Sequence, residues 1–545
     1  MDSPRRYDKT FIIIALIFCI YAGIFIWRTS FVIDGERYFS LFDDAMISMR
    51  YAKHLAAGHG LVWNVGEEAI EGFTNLLWTL YMALIHLLPV AASKTSLVVQ
   101  ISSGICLLLN LAVIRKLADS VSEGSGFVRL GAVLVTAFYL PLNGWSLQGM
   151  EVGLLALVVG LAVLKAVQSL AAGRFSPWPY VLLAASMFVR PDMAVPFVVL
   201  TGYMVIVDKS RRRDHLVWGL VLFAGALIGQ TGFRLVYFGD VFPNSYYLKL
   251  AGYPLILRLT RGLYVTFVFI WRMNWICFVI PFVLLLAGPK RPAMVLLVMF
   301  LGQLAYSIYV GGDAWESWGG SNRYVSIAMP CFFVVFFCGL ERIGTHLSET
   351  AMGGVLALPA ERLRRYARGL EAAILILMFL GFNGIYGPAA ISEVLLLKKT
   401  LHIDKNEKMV ERALVLNRVT QSNATVAVVW DGAIPYFTDR PTVSILGKND
   451  KRIAHLKMRR ATGPSELVAF YPGHLKWDYS YSIGELRPDV VVHLWQAPEE
   501  ATSYLYPDYM DVTLQGFSFH LLRGSPRILW DRVWSLATAD PGTAD

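Results

Sequence analysis

Charge is scarce in this 545-residue chain: Asp, Glu, Lys and Arg make up 16% of it, against 56% hydrophobic residues. That balance excludes a single water-soluble core and indicates a polytopic membrane protein. Cysteine is scarcer still, and Cys19, Cys106, Cys277, Cys331 and Cys338 all lie inside hydrophobic runs. They read as small apolar packing residues, so neither a disulfide framework nor a cysteine-based metal centre is indicated. No internal repeat, low-complexity tract or nucleic-acid motif stands out. The net charge of +9 is explained by basic cytoplasmic loops and lipid headgroups, not by a nucleic-acid partner. A small-x-small cleavage site is missing after the first apolar run, which makes that run an uncleaved signal anchor with Arg5, Arg6 and Lys9 inside.

What the chain does contain is a series of apolar runs, at 11–29, 75–89, 96–114, 128–141, 151–167, 178–207, 216–236, 262–286, 293–310, 324–342 and 371–388. Judged against the roughly 20 residues that cross a bilayer, they predict about eleven transmembrane helices. The run 178–207 is too long for one span and is broken by Arg190, Pro191 and Asp192, so two short helices meeting at a polar apex are expected. Basic loops at Arg115–Lys116, Lys209–Arg213, Lys290–Arg291 and Arg362–Arg368 belong inside. They all fall there only if 75–89 is re-entrant or interfacial. The N-terminus is then cytoplasmic, and the polar, glycine-rich segments 30–74, 237–252 and 311–324 gather on the outer face.

From about 389 the composition becomes that of a soluble domain. Short β-branched runs at 426–430 and 490–494, and the stretch DGAIPYFTDRPTVSIL, predict a small extracytoplasmic α/β domain at 389–545, following a membrane domain at 1–388.

Candidate chemistry lies in the outer segments. Residues 43–57 read as a helix whose Asp43, Ile47, Arg50 and His54 share a stripe. Two readings stay open there: Asp43 or Asp44 caps the helix while Arg50 meets headgroups, or an aspartate serves as general base while cations neutralise a phosphate leaving group. Glycines at 58 and 60 end the helix and flank His59, a surface histidine or a phosphate ligand; Glu71 and Asn75 follow in EGFTN. Arg190 and Asp192 either pair with each other or meet substrate. In the 237–252 loop, Asn244, Tyr246 and Lys249 suit a sugar or polyprenyl-phosphate site, and equally an interfacial belt with a snorkelling lysine. Arg323, flanked by Asp313 across a Trp-rich loop, begins a span that needs no basic anchor on that side, which favours anion binding. His474 is the one polar mark in the terminal domain.

Together, FDDAMISMRYAKHLAAGHGLVWN with EGFTNLLW, LQGMEVGL, FVRPDM, YFGDVFPNSYYLKL, GGD followed by Arg323, and DGAIPYFTDRPTVSILGKND resemble the GT-C class of membrane glycosyltransferases, and most closely arabinofuranosyltransferases of the AftB type. The resemblance implies a bacterial inner-membrane enzyme that transfers a sugar, plausibly D-arabinofuranose, from a polyprenyl-phosphate donor to a cell-envelope glycan or pilin-like acceptor, with inversion. Asp43 is then the catalytic acidic residue with Asp44 beside it. Arg190, Lys249 and Arg323 become phosphate contacts, with Arg50, His54 and His59 further donor-side candidates; Glu71, Asn75, Glu151, Asp192, Asn244, Tyr246 and Asp313 are substrate-side ones. Some relatives use a divalent cation (Mg, Mn or Ca), which Asp43 and Asp44 could hold with Glu151. The rival readings are a flippase or transporter for a lipid-linked substrate, and another enzyme of the class such as an aminoarabinose or mannose transferase.

Overall fold

The computed structural model describes residues 4–273, 275–286, 291–314, 316, 322–352, 403–459 and 469–538, with scattered positions between 369 and 398. Up to residue 352 the described chain is almost entirely helical. Among the described residues six helices are long and apolar enough to cross a membrane, or up to eight spans if two bent pairs each count as one. They are α1 (Pro4–Arg28), α4 (Ala92–Val121), α7 (Val152–Ala172), α10 (Arg212–Phe238), α14 (Arg291–Val310) and α15 (Arg323–Met352), with the bent pairs α5 (Gly126–Ala137) plus α6 (Leu140–Leu147) and α12 (Leu255–Arg272) plus α13 (Trp275–Leu286).

The expected count of eleven is not reached among the described residues, where one apolar run is short and another is divided. α3 (Leu76–His86) has 11 residues; at 1.5 Å per residue that is about 16 Å, near half the hydrocarbon thickness. The run 178–207 is two helices, α8 (Trp178–Val189) and α9 (Ala194–Val207), separated by a single 3-10 turn. Pro191 causes the break: it has no N–H to donate and holds Arg190 in an extended conformation (φ −149°, ψ 132°). The run 371–388 lies outside the described residues, as does the Arg362–Arg368 loop.

Between α1 and α3 the chain forms a two-stranded antiparallel hairpin, β1 (Phe31–Ile33) with β2 (Glu36–Tyr38), and then α2 (Asp43–Ala56). The C-terminal region carries a five-stranded sheet in the order β4-β3-β5-β7-β6. β3 (Val426–Val428), from one of the two β-branched runs, lies parallel to both β4 (Thr442–Ser444) and β5 (Val490–Val491), while β6 (Tyr509–Leu514) and β7 (Phe517–Leu522) form an antiparallel hairpin. The sheet is not a separate body. One apolar core runs from the bundle through Leu41, Phe42, Ala45 and Met46 into Val410, Ile434 and Tyr436.

Candidate active site

Helix α2 has two working faces, and they differ. The stripe of Asp43, Arg50 and His54 faces the C-terminal region. Arg50 donates from Nε to the Trp63 carbonyl (2.8 Å), from Nη1 to that of Pro435 (2.6 Å), and from Nη2 to Asn64 Oδ1 (3.0 Å) and the Arg440 carbonyl (2.8 Å). Its guanidinium also covers the Trp63 ring at 4.6 Å. These bonds make Arg50 a staple between α2, the Trp63–Asn64 segment and the C-terminal region. His54 contacts the Val62 carbonyl through Nδ1 (2.9 Å) and Asp439 through Nε2 (3.5 Å), and His59 is exposed at the helix end. The structure therefore places Arg50, His54 and His59 away from the cavity described below.

Asp43 belongs to this seam too. Neither sequence reading anticipates its position: it caps no turn of its own helix, and its Oδ1 accepts the amides of Gly432 (3.1 Å) and Ala433 (3.2 Å), at the start of the short helix Ala433–Thr438. Position 432 must be glycine, because a Cβ there would lie 2.1 Å from the Asp43 carbonyl oxygen. Burial raises the Asp43 carboxyl to about 6, and its Oδ2 is buried with no hydrogen-bond partner.

One residue further round, Asp44 faces a cavity lined also by Ser48, Asn75, Glu151, Arg190, Lys249, Arg323 and Lys448. Arg323 Nη1 donates to Asp44 Oδ2 (2.8 Å) and Lys448 Nζ to Oδ1 (2.7 Å). Against the desolvation of burial, these two cations and Lys249 hold the Asp44 carboxyl well below the ordinary range. The remaining forks of Arg323 grip Asp313, Nε to Oδ2 at 2.7 Å and Nη2 to Oδ1 at 2.9 Å. On the opposite wall Arg190 donates to Glu151 (2.7 Å) and to both oxygens of Asp192 (2.8 and 3.1 Å). Asn75 joins the two sides, donating to Glu151 (2.9 Å) and accepting from Ser48 (2.8 Å).

Lys249, in α11 (Asn244–Lys249), is the exception. Among the described residues lining this cavity it is the cation with neither a hydrogen bond nor an ion pair. Burial and the positive neighbour Arg323 push its ammonium down to about 8, a condition that an incoming anion would reverse. Lys249, Arg190, Thr74 and Ser245 also line a second, larger chamber, whose walls include Met187, Leu227, Val241, Phe242 and Tyr246. Cations and carboxylates thus line a polar chamber that shares a wall with a larger, mainly apolar one.

The other expected residues support this wall. Glu71 receives Arg234 Nε (2.7 Å), and its carbonyl accepts the Asn244 amide (3.1 Å). Asn244 Nδ2 reaches the carbonyls of Gly447 and Lys448, and Tyr246 stacks on Phe242 with centroids 4.3 Å apart. His474 is buried among Trp430, Tyr471 and Trp495. The residues expected to hold a divalent cation have other partners in this structure: Asp43 is turned to backbone amides, both Asp44 oxygens meet cations, and Glu151 meets Arg190 and Asn75. Among the described residues no group of three His, Cys, Asp or Glu converges. Lys448 is the cavity-lining cation that sequence reading missed. Its only signal is a lone lysine between Gly447 and Asn449 after an apolar strand.

Residues 399–538 match a family model described as Domain of unknown function (DUF8728). The terminal beta-(1->2)-arabinofuranosyltransferase of Mycobacterium tuberculosis is 27% identical over 218 residues, 37% of this chain and 34% of that protein, so the match spans about a third of that relative's length. Among solved structures, ArnT from Cupriavidus metallidurans bound to undecaprenyl phosphate is similar with a TM-score of 0.54 at 13% identity, over 96% of this chain and 99% of that one. AglB from Archaeoglobus fulgidus, in complex with an inhibitory peptide and a dolichol-phosphate, gives 0.53 at 10% identity, over 95% and 74%. At these identities the likeness is one of fold alone, the fold shared with ArnT and AglB.

Proposed function

We propose that this chain is a membrane glycosyltransferase that transfers a sugar, D-arabinofuranose as the first candidate, from a polyprenyl-phosphate carrier to an envelope glycan or protein acceptor on the outer face. The observation that carries this reading is the uncommitted ammonium of Lys249 at the junction of a carboxylate-bearing polar chamber and an apolar one. An amphiphile with an anionic head and a long apolar tail matches both halves. The relatives lend support: ArnT was solved with undecaprenyl phosphate, AglB with dolichol-phosphate, and the mycobacterial relative is an arabinofuranosyltransferase.

In this reading an acceptor hydroxyl attacks the anomeric carbon while the bond from that carbon to the phosphate oxygen breaks, which inverts the centre. The leaving polyprenyl phosphate gains negative charge, and Lys249 with Arg190 stabilises it in a water-poor site. The hydroxyl proton passes to Asp44. Although both Asp44 oxygens receive a cation at rest, a carboxylate has about four lone-pair sites and can accept a further donor. Asp43, the residue that family resemblance favours, serves instead to dock the C-terminal region, and the cytoplasmic N-terminus leaves this assembly outside.

The test is to incubate purified protein with polyprenyl-phosphoryl arabinofuranose, aminoarabinose and mannose and to follow free polyprenyl phosphate by mass spectrometry. Release with one donor, dependent on acceptor, is expected. Movement of intact donor across a vesicle without consumption would instead establish a transporter.

A further inference from the structure

The cavity described above is not closed by membrane helices alone. Lys448, in the loop after β4, lines it while only 7% exposed, and reaches Asp44 Oδ1 at 2.7 Å. The loop that presents it is held from three directions. Asn244 Nδ2 donates to the Gly447 and Lys448 carbonyls at 2.9 Å each. Asn449 Nδ2 donates to Asp431 Oδ2 (2.8 Å), and the Tyr51 hydroxyl to Asn449 Oδ1 (2.9 Å). Gly447 takes φ +72°, where a Cβ would come within 2.7 Å of Ile453. A flexible lysine side chain on so constrained a backbone has its reach fixed in advance.

We propose that Lys448 is a positioning residue of the transfer site: its ammonium, delivered by the C-terminal region, sets the orientation of the Asp44 carboxylate and thereby which lone pair meets the acceptor hydroxyl. This inference rests on the transferase reading above. It gives residues 399–538 a share in the active site itself.

The surroundings suit the role. Arg323 from α15 fixes one oxygen of Asp44 and Lys448 the other, so the carboxylate plane is determined by two elements distant in sequence. Lys249 from α11 also acts on Asp44, and Asp43 from α2 and Asp313 are carboxylates that interact with it. On Lys448 act Asp44, Asp43 and Asp431, with His474 and Lys249 nearby, and the acids keep its ammonium above the usual lysine range against the opposing effect of burial. Asp43 Oδ2 and Asp431 Oδ1 are buried without hydrogen-bond partners. Lys448 therefore has two further acidic neighbours besides Asp44.

The experiment compares Lys448→Met and Lys448→Arg with the wild-type chain in nanodiscs. For Lys448→Met we expect kcat to fall about 100-fold with donor KM within about threefold, because orientation is lost while donor binding is not. Removing one cation also weakens the hold on the ionised Asp44, so the acid limb of the kcat profile should move up by about one pH unit. Lys448→Arg keeps the charge with a different reach: the acid limb should stay in place and kcat should fall about tenfold. A rise in donor KM at unchanged kcat would make Lys448 a phosphate ligand and overturn the proposal, as would an unshifted acid limb in Lys448→Met or wild-type kcat in Lys448→Arg. If Lys448→Met does not fold, the arginine variant alone decides. The pH dependence of Asp44 modification by a water-soluble carbodiimide, mapped by peptide mass spectrometry, reads the same coupling without turnover. An upward shift in Lys448→Met with no sugar transfer by wild type would sink the transferase reading yet leave the Lys448–Asp44 coupling standing; no shift would sink the coupling.

Discussion

Two cations on neighbouring walls, Arg50 and Lys249, look alike in sequence, each a basic residue in an outer-face loop segment. Their surroundings separate them. Arg50 spends four of its five N–H donors on the carbonyls of Trp63, Pro435 and Arg440 and on Asn64, which leaves at most one for a ligand. Lys249 is partly buried among charges yet donates to none of the described residues, a state that desolvation makes unfavourable until an anion arrives. The seam along α2 is a finished network that holds two regions together, and the junction of the two chambers is an unfinished one. Buried charge with spent valences marks structure; buried charge with open valences marks a binding site.

Substitutions should break the contrast in opposite ways. Arg50→Met leaves several buried carbonyls without donors and should destabilise the chain by about 3–5 kcal/mol. Chemical denaturation in detergent should show this loss, while donor KM in the folded fraction stays unchanged. Lys249→Met should do the reverse: thermal stability is kept and donor KM rises by about 10- to 100-fold, since one charge-assisted hydrogen bond to phosphate is worth about 1.5–3 kcal/mol. A smaller effect is expected from Asp431, whose carboxyl is raised by burial to about 7 from 3.8. A carboxyl raised in the fold binds its proton more tightly there than in the unfolded chain. Its contribution is complete below pH 3.8 and is lost as pH rises towards 7. Asp431→Asn should therefore flatten the fall in melting temperature across that window, measured by differential scanning fluorimetry. Least of all should come from His59→Ala, which removes an exposed ring and should change stability by less than about 0.5 kcal/mol.

Much of the fold was legible because hydrophobic runs and charges obey simple rules. The Arg190-Pro191-Asp192 break split its run as Pro geometry requires, and the runs at 426 and 490 became adjacent parallel strands. Span counting was less secure, since α3 is apolar yet only 11 residues long. Within the site, sequence singled out the acidic pair but not which member faces the cavity. The two differ by one residue, about 100° of helix rotation, and what chooses between them is the position of Gly432, some 390 residues later. No local pattern contains that information. Lys448 was hidden for the same reason, because its carboxylate partner lies at the other end of the chain.

The most direct measurement is single-turnover sugar transfer by Asp44→Asn and Asp43→Asn side by side, each checked for wild-type melting and donor binding. With Asp44 as base, Asp44→Asn should lose about a thousandfold in rate, within the usual range for removal of a general base. Asp43→Asn should lose rate only in proportion to weakened docking of the C-terminal region. The opposite pattern, a silent Asp44→Asn and an inactive but folded Asp43→Asn, would contradict the assignment of the cavity-facing carboxylate to catalysis.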